Sequence, residues 1–243
     1  KLFAVPTYTS KGIDEYTWRL LPGFGHDNKV CTFSAIDAIV KIRNPTLTSI
    51  IWINDNEEVG DTPPSGREGP FLDFIVDYLC EKHEKKTKSD ITERDKRKLL
   101  LKSSYIYADI DISPYGFDVD QGNIDPLNAP KIGLGMHIAT NQENNSSLAF
   151  IEKLRAITKR GYSSGNNICH QITGNIYNQN RMEVCYYENH AKGLLGFIGQ
   201  WAVGVGIPIA CAHNPTEVIC PGDEYALSNF LRRYLQSNTG IGH

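Results

Sequence analysis

The hydrophobic positions divide the chain into alternating helical and extended segments. Apolar residues spaced three or four apart predict amphipathic helices over 33–40, 71–79, 146–157 and 227–235. Continuous apolar runs predict buried strands over 47–53, 103–110, 131–140, 181–187 and 207–212. Strands that alternate with helices are typical of α/β proteins. We therefore predict an α/β three-layer sandwich, with a central mixed, mostly parallel sheet and helices on both faces.

The polar positions between these segments predict where the helices begin. The run 81–98 mixes both charge signs, which favours a solvated helical surface over a binding site for a polyanion. Within it, Asp90 and Glu93 have the spacing of a capping box that restarts a helix. Asp223 is predicted to cap the last helix. Residues 189–206 are glycine-rich, with a helical core expected around Phe197 and Trp201.

Composition restricts the class of protein. The length of 243 residues fits a single domain over 1–243, and the net charge of −3 leaves no basic excess for a nucleic acid. No apolar run approaches the roughly 18 residues of a membrane span, and the first residues do not resemble a signal peptide. The six cysteines lack paired spacing, which is typical of free thiols in a reducing compartment. We expect a cytoplasmic protein without nucleic-acid or membrane partners.

Candidate chemistry lies where predicted strands and loops meet. Asp27, the pair Glu57-Glu58, Asp109 and His213 all occupy such junctions. Ligands of open α/β sheets collect at the carboxyl ends of strands, so these side chains are candidates for one site. Carboxylates with an imidazole suit zinc, or manganese or cobalt, better than magnesium or calcium. Adjacent glutamates on an extended backbone face opposite sides, which suits one ligand and one general base; a solvated acidic turn is the simpler alternative.

Five segments resemble one family in the same order along the chain. Asp55 to Thr62, followed by Gly66 and Phe71-Leu72, closely resembles the glutamate segment of the aspartyl aminopeptidases, members of the clan of two-zinc aminopeptidases. The four other similar segments are His26-Asp27-Asn28, Ser104 to Asp109, Ile138 to Asn141, and Gly206-Ile207-Pro208 with His213 to Glu217. The resemblance covers the C-terminal, catalytic part of such an enzyme and implies a zinc-aminopeptidase-like fold.

The resemblance implies a role for each candidate residue. One metal would take Asp27, Glu58 and His213, and a second would share Asp27 and take Asp109. Glu57 would be the general base in the hydrolysis of an N-terminal peptide bond. The implied substrates are peptides with N-terminal aspartate or glutamate. The resemblance also implies a homo-oligomer, of the large closed kind that the family forms.

The chain also departs from the family pattern. The family's upstream His-x-Asp segment and its inserted dimerisation domain are absent from this sequence, so the second metal site lacks its histidine. The family's Ala-His-Ala-x-His-Pro is replaced by the segment 110–114, and its Gly-Ser-Thr-Ile-Gly loop by 190–196. His137, His170 and His190 are candidate substitutes, each with a surface or core role as the alternative.

These departures leave more than one function open. A single-zinc enzyme is chemically reasonable. A catalytically impaired protein kept for assembly or partner binding, or a single-zinc acyl-transfer enzyme of the same clan, are the alternatives.

Overall fold

The computed structural model describes residues 19–43, 45, 47–53, 71–114, 129–139, 148–159, 168–173 and 202–237. The helices are α1 (His26–Val40), α2 (Phe71–Thr87), α3 (Glu93–Leu101), α4 (Leu148–Lys159) and α5 (Pro221–Gln236). The strands are β1 (Leu21–Gly23), β2 (Tyr105–Ile112), β3 (Met136–Ala139), β4 (His170–Thr173), β5 (Ala202–Ile209) and β6 (Glu217–Ile219). Among these residues no helix is long and apolar enough to cross a bilayer.

The main sheet is mixed, with strand order β2-β5-β3-β4. β5 pairs in parallel with β2 and antiparallel with β3, while β3 and β4 are parallel. β1 and β6 form a separate antiparallel pair. A mixed sheet with flanking helices confirms the predicted α/β class.

One side of the main sheet, the core face, is aliphatic. Every second residue of β5 points there and is buried, and helices α1, α4 and α5 cover it. The sheet residues of this face are Ile106, Ala108, Ile110, Ile112, Met136, Ile138, Val203, Val205, Ile207 and Ile209. Burial of about 25 cal/mol for each Å² of apolar area makes this layer the main source of stability.

The other side of the same strands, the polar face, has a different composition. Strand alternation places Tyr107, Asp109 and Asp111 of β2 there, beside Gly206 of β5 and His137 of β3. Tyr105, at the start of β2, packs against the small cluster between α2 and α3. Helices therefore flank both faces of the sheet.

Helix α1 buries a different side from the one that its hydrophobic pattern predicts. Its buried residues are His26, Cys31, Ser34 and Ala38, whereas Phe33, Ile36 and Val40 are exposed. Small side chains allow α1 to approach the sheet and α5 closely. The predicted apolar face of this helix is thus wrong by about half a turn.

Several predicted boundaries are also wrong. Residues 47–53 form no strand, and Leu47, Ile50 and Ile53 are about half exposed. Hydrophobicity alone does not establish a strand here, because a short apolar run does not show which other strand it would pair with. β5 begins at Ala202, five residues before the predicted start at Ile207 and inside the glycine-rich stretch 189–206, because its alternating valines and glycines fit the pleat. The predicted strand 181–187 lies outside the described residues.

The predicted caps of two helices differ from the observed ones. Thr92 and Asp95, not Asp90 and Glu93, form the capping box of α3. α5 begins after Cys220 with Pro221 in its first turn. Asp223 lies inside that turn, where its carboxylate accepts hydrogen bonds from the backbone N–H groups of Gly133 and Gly135 at 2.8 and 2.7 Å. It links α5 to the loop before β3 and does not cap its own helix.

Candidate metal centre

Asp27 is held at the start of α1 by contacts to two strands. Asp27 and Asn28 have non-helical backbone angles, and the peptide bond between them is cis. The Asp27 backbone N–H donates to the buried Glu217 carboxylate at 3.2 Å, and the Asn28 side-chain amide donates to the Ala108 carbonyl at 3.0 Å. These two bonds fix the aspartate between β6 and the residue that precedes Asp109.

His213 comes to Asp27 from the turn that follows β5. Its backbone φ is 58°, and its Nε2 lies 3.4 Å from Asp27 Oδ2. Its side chain is 54% exposed, whereas that of Asp27 is 13% exposed. The separation is longer than a typical N–H···O hydrogen bond, and two ligands of one zinc ion, each about 2.0–2.2 Å from it, stand roughly 3–3.5 Å apart. This pair of atoms therefore has a spacing that suits a shared cation.

Asp109 lies within β2 and not at its end, because the strand continues through Asp111 to Ile112. The Tyr107 hydroxyl donates to Asp109 Oδ2 at 2.6 Å, and the Ile110 N–H donates to Oδ1 at 2.8 Å. These donors fix the orientation of the carboxylate on the polar face. The predicted end of the strand at Ile110 is thus corrected by two residues.

The pKa of the Cys31 thiol is affected by both Asp27 and Asp109. Burial raises its pKa well above the usual range, and the carboxylates of Asp109 and Asp27 raise it further. Both negative groups therefore act on one buried side chain of α1. Asp27 and His213, from distant parts of the chain, meet at the start of α1.

A second group of buried polar side chains lies further along the polar face. His137 Nδ1 is 3.8 Å from Asp111 Oδ2, and no described residue forms a hydrogen bond with either ring nitrogen of His137. Burial lowers the pKa of His137 to about 3. Burial, together with the nearby Asp109 carboxylate, raises the pKa of Asp111 to about 8. Near neutral pH both groups are therefore uncharged, and their approach is not an ion pair.

The remaining predicted site residues fall into two groups. Glu57, Glu58 and His190 lie outside the described residues. His170 has a possible partner at each ring nitrogen, the Ile168 carbonyl at 3.2 Å and the Thr158 hydroxyl at 3.4 Å, as expected of a structural histidine. Within the described ranges no three His, Cys, Asp or Glu side chains converge on a common metal position.

Several residues that shape this region were not assigned a role from the sequence. Asn28 donates a hydrogen bond to β2, Tyr107 donates one to Asp109, and Glu217 accepts one from the backbone of Asp27. Asp111 had one sequence signal, because a residue two positions from Asp109 on a strand shares its face. No signal in the sequence indicates that Asp111 lies near His137, because their proximity depends on the register of three strands.

Comparison with known proteins identifies the family. The family described as aminopeptidase I zinc metalloprotease (M18) matches residues 4–170. The chain belongs to this family. A probable M18 family aminopeptidase 1 of Borreliella afzelii is 25% identical over 231 residues, which are 91% of this chain and 46% of the relative. The chain thus spans about half the length of the curated relatives it matches.

Solved structures agree on the fold. The crystal structure of aminopeptidase I from Clostridium acetobutylicum matches with a TM-score of 0.73 at 18% identity, covering 96% of this chain and 48% of that one. The mApe1 dodecamer of S. cerevisiae matches with a TM-score of 0.70 at 15% identity, covering 98% and 52%. At these identities the likeness establishes a zinc-aminopeptidase-like α/β fold and nothing finer.

Proposed function

We propose that this chain is a metal-dependent aminopeptidase that removes N-terminal residues, acidic ones in particular, from peptides. The observation that carries the proposal is the approach of His213 Nε2 to Asp27 Oδ2 at 3.4 Å. A carboxylate and an imidazole separated by 186 positions in sequence meet there at one end of the sheet. Membership of a zinc metalloprotease family supports the same chemistry.

The donor set fits zinc. Asp27 and His213 supply an oxygen and a nitrogen, and Glu58 is the proposed third ligand of this ion. Asp109 is the proposed ligand of a second ion that shares Asp27. Manganese or cobalt accept the same donors, whereas magnesium and calcium prefer oxygen alone. Glu217 and Asn28 hold the backbone and side chain around Asp27, as the outer partners of a ligand commonly do.

The proposed reaction is hydrolysis of the first peptide bond. Zinc, when bound, supplies Lewis-acid polarisation of the scissile carbonyl and makes a water more acidic. Glu57 takes a proton from the attacking water and later returns it to the leaving amine. The free α-amino group of the substrate would lie beside the metal pair held by Asp27 and Asp109, which restricts cleavage to chain ends. Preference for an acidic first residue rests on the resemblance to aspartyl aminopeptidases.

We propose in addition a cytoplasmic homo-oligomer. The structural likeness to the mApe1 dodecamer supports assembly. A surface that would suit it is the exposed apolar side of α1, where Phe33 and Val40 are 59% and 70% exposed. Apolar side chains of this size are commonly covered in an assembled protein.

The same apolar side of α1 favours a second candidate function. A catalytically impaired member of the family, kept for assembly or partner binding, would retain this surface without turnover. Such a protein would have no need of Glu57. The experiment below therefore separates the two candidates.

The test is hydrolysis of chromogenic aspartyl, glutamyl and leucyl amides by the zinc-loaded chain, compared with Glu57→Gln. Loss of a general base lowers kcat by roughly 10²- to 10⁴-fold, and we expect this loss for the acidic substrates. The matched control is Glu93→Gln, at an exposed position of α3, which leaves the rate unchanged. Zinc-loaded wild-type protein without turnover, or with turnover that Glu57→Gln does not lower, would favour the assembly role.

A further inference from the structure

The polar face contains a buried histidine and carboxylate that no hydrogen bond joins. The His137 side chain is 5% exposed and that of Asp111 is 19% exposed. Within the part of the chain that the structure describes, both ring nitrogens of His137 lack a hydrogen-bonding partner. An unsatisfied buried polar group costs about 1–3 kcal/mol, so a protein keeps one only where another role offsets the cost.

The distance between the two side chains is informative. His137 Nδ1 and Asp111 Oδ2 stand 3.8 Å apart, beyond the range of a hydrogen bond. Two ligands that each bind one metal ion at about 2.0–2.2 Å are separated by roughly 3–4 Å, depending on the angle at the metal. The pair is thus too far apart to bond directly and spaced as two ligands of one ion.

The strand between them, β5, has no side chain at the position where the imidazole of His137 lies. His137 and Asp109 are both paired with Gly206 of β5, on either side of it. A Cβ added to Gly206 would overlap the Asp109 carbonyl oxygen and lie 2.8 Å from His137 Nε2. Any side chain at 206 would therefore displace the imidazole. The glycine keeps the ring where its Nδ1 faces Asp111.

We propose that Asp111 Oδ2 and His137 Nδ1 bind a divalent transition-metal ion on the polar face. This site is separate from the one formed by Asp27 and His213. It deepens the proposed function, on which it rests for the class of metal. The family resemblance gives Asp111 no role, and it makes His137 only a candidate substitute for the missing histidine of the second site.

Charge and donor type both favour a cation of the zinc class. Asp109 and Asp111 share one face of β2, so a cation bound to Asp111 also interacts favourably with the Asp109 carboxylate. A nitrogen with an oxygen donor suits zinc, cobalt or manganese. Two protein ligands leave the other positions to water or to a substrate oxygen, so this site binds more weakly than the three-ligand site proposed above.

The experiment counts metal ions and does not depend on activity. The full chain is freed of metal by a chelator and titrated with Zn²⁺ by calorimetry and with Co²⁺ by visible absorption. Asp111→Asn replaces the carboxylate ligand by a neutral amide, and His137→Gln removes the imidazole, each at nearly constant volume. His83→Gln, at an exposed position of α2, is the matched control, and Asp27→Asn reports on the other site.

We expect wild type and His83→Gln to bind a second, weaker ion. In Asp111→Asn and His137→Gln the affinity for this ion should be at least about tenfold lower than in wild type. Asp27→Asn retains that weaker ion. If Asp27→Asn alone reduces binding, the inference is overturned while the proposed function stands. If only the Asp111 and His137 variants reduce it, the proposed function fails and the inference stands. Absence of any binding to the wild-type chain would overturn both.

Circular dichroism of each metal-free variant establishes that it is folded. Should one of the two variants not fold, the other carries the comparison, since loss of either donor removes the site. His137→Ala is the further variant if neither folds. The Co²⁺ spectrum of the wild-type chain gives an independent check, because a bound imidazole nitrogen changes the bands that water alone produces.

Discussion

The two faces of the main sheet use the same strands for opposite purposes. On the core face, alternate residues of β5 are fully buried aliphatic side chains under three helices. On the polar face, the intervening positions of β5 include Gly204 and Gly206, and the neighbouring strands present Asp109, Asp111 and His137. The core face is aliphatic, whereas on the polar face both ring nitrogens of His137 lack a hydrogen-bonding partner among the described residues.

The difference between the two faces shows which part of the sheet lowers the free energy of unfolding. Unpaired buried groups lower stability, and a core that could bury only aliphatic residues would avoid them. Among the described residues, two of the five buried polar atoms without a partner belong to His137 on the polar face, and the other three belong to Asn28, Ser113 and Arg155. This distribution is expected if the core face holds the fold while the polar face binds ions. Substitutions that treat the two faces alike should therefore have different consequences.

The largest expected effect is on the core face. Phe230 of α5 is fully buried and its ring stacks 6.4 Å from that of Tyr234. Phe230→Ala leaves a cavity and should lower the free energy of unfolding by about 3–5 kcal/mol. The matched control is Phe33→Ala on the exposed side of α1, where we expect a loss below about 1 kcal/mol. Urea unfolding measures both, and equal losses would contradict the assignment of the buried side of α1.

The next effect compares two glycines of β5 on the polar face. Gly206→Ala forces a Cβ against the Asp109 carbonyl, whereas at Gly204 a Cβ meets only the Cβ of Ala139, at 3.3 Å. We expect Gly206→Ala to lose about 3 kcal/mol and Gly204→Ala less than about 1 kcal/mol. Thermal unfolding of the metal-free chains gives the comparison. A tolerated Gly206→Ala would show that the space over β5 is not needed by His137.

A smaller effect is expected where a buried acid is fully satisfied. Asp223 accepts two backbone N–H bonds, so Asp223→Asn leaves one donor facing an amide group and should cost about 1–3 kcal/mol. Glu152→Gln, at an exposed ion pair of α4, is the control and should change stability by less than about 0.5 kcal/mol.

The contribution of Asp223 to the free energy of unfolding depends on pH, and the direction of its pKa shift determines the sign of that dependence. Burial, opposed by the two N–H bonds, raises the pKa of Asp223 from 3.8 to about 6. The native state therefore binds this proton more tightly than the unfolded chain does. Its contribution to the free energy of unfolding is full below pH 4 and is lost as pH rises to about 6. Asp223→Asn lacks this titration, so urea midpoints at pH 4 to 7 should show a shallower decline for the variant than for wild type.

The smallest effect is the most specific to the polar face. The His137 imidazole makes no hydrogen bond to any described residue, so His137→Leu in the metal-free chain should leave the free energy of unfolding unchanged or raise it by about 1 kcal/mol. Added Zn²⁺ should stabilise wild type more than this variant. A marked loss of stability in metal-free His137→Leu would mean that the imidazole has a structural partner.

The sequence predicted the parts of the fold that depend on local pattern. The helices around Leu154 and Phe230 follow directly from apolar spacing, and the α/β class follows from their alternation with strands. Asp27 and His213 were identified because each belongs to a distinctive segment. Their separation of 3.4 Å is a property of the folded chain.

What the sequence did not predict depends on how elements approach one another. Phe33 has more apolar surface than Ala38, yet Ala38 is buried because only a small residue allows α1 to lie against α5. Asp223 has the residue type of an N-cap, but the loop at Gly133 and Gly135 competes for its carboxylate. His137 and Asp111 become neighbours only through the pairing of β2, β5 and β3.

The central claim is that the end of the sheet where Asp27 meets His213 binds zinc. Its most direct test is zinc content per folded chain after exhaustive dialysis, for wild type, Asp27→Asn and His213→Gln, with Asp37→Asn and His83→Gln as matched controls. The account predicts at least one zinc ion per chain in wild type and both controls, and a loss in the two site variants. A folded wild-type chain without zinc, or site variants that retain as much zinc as wild type, would contradict it.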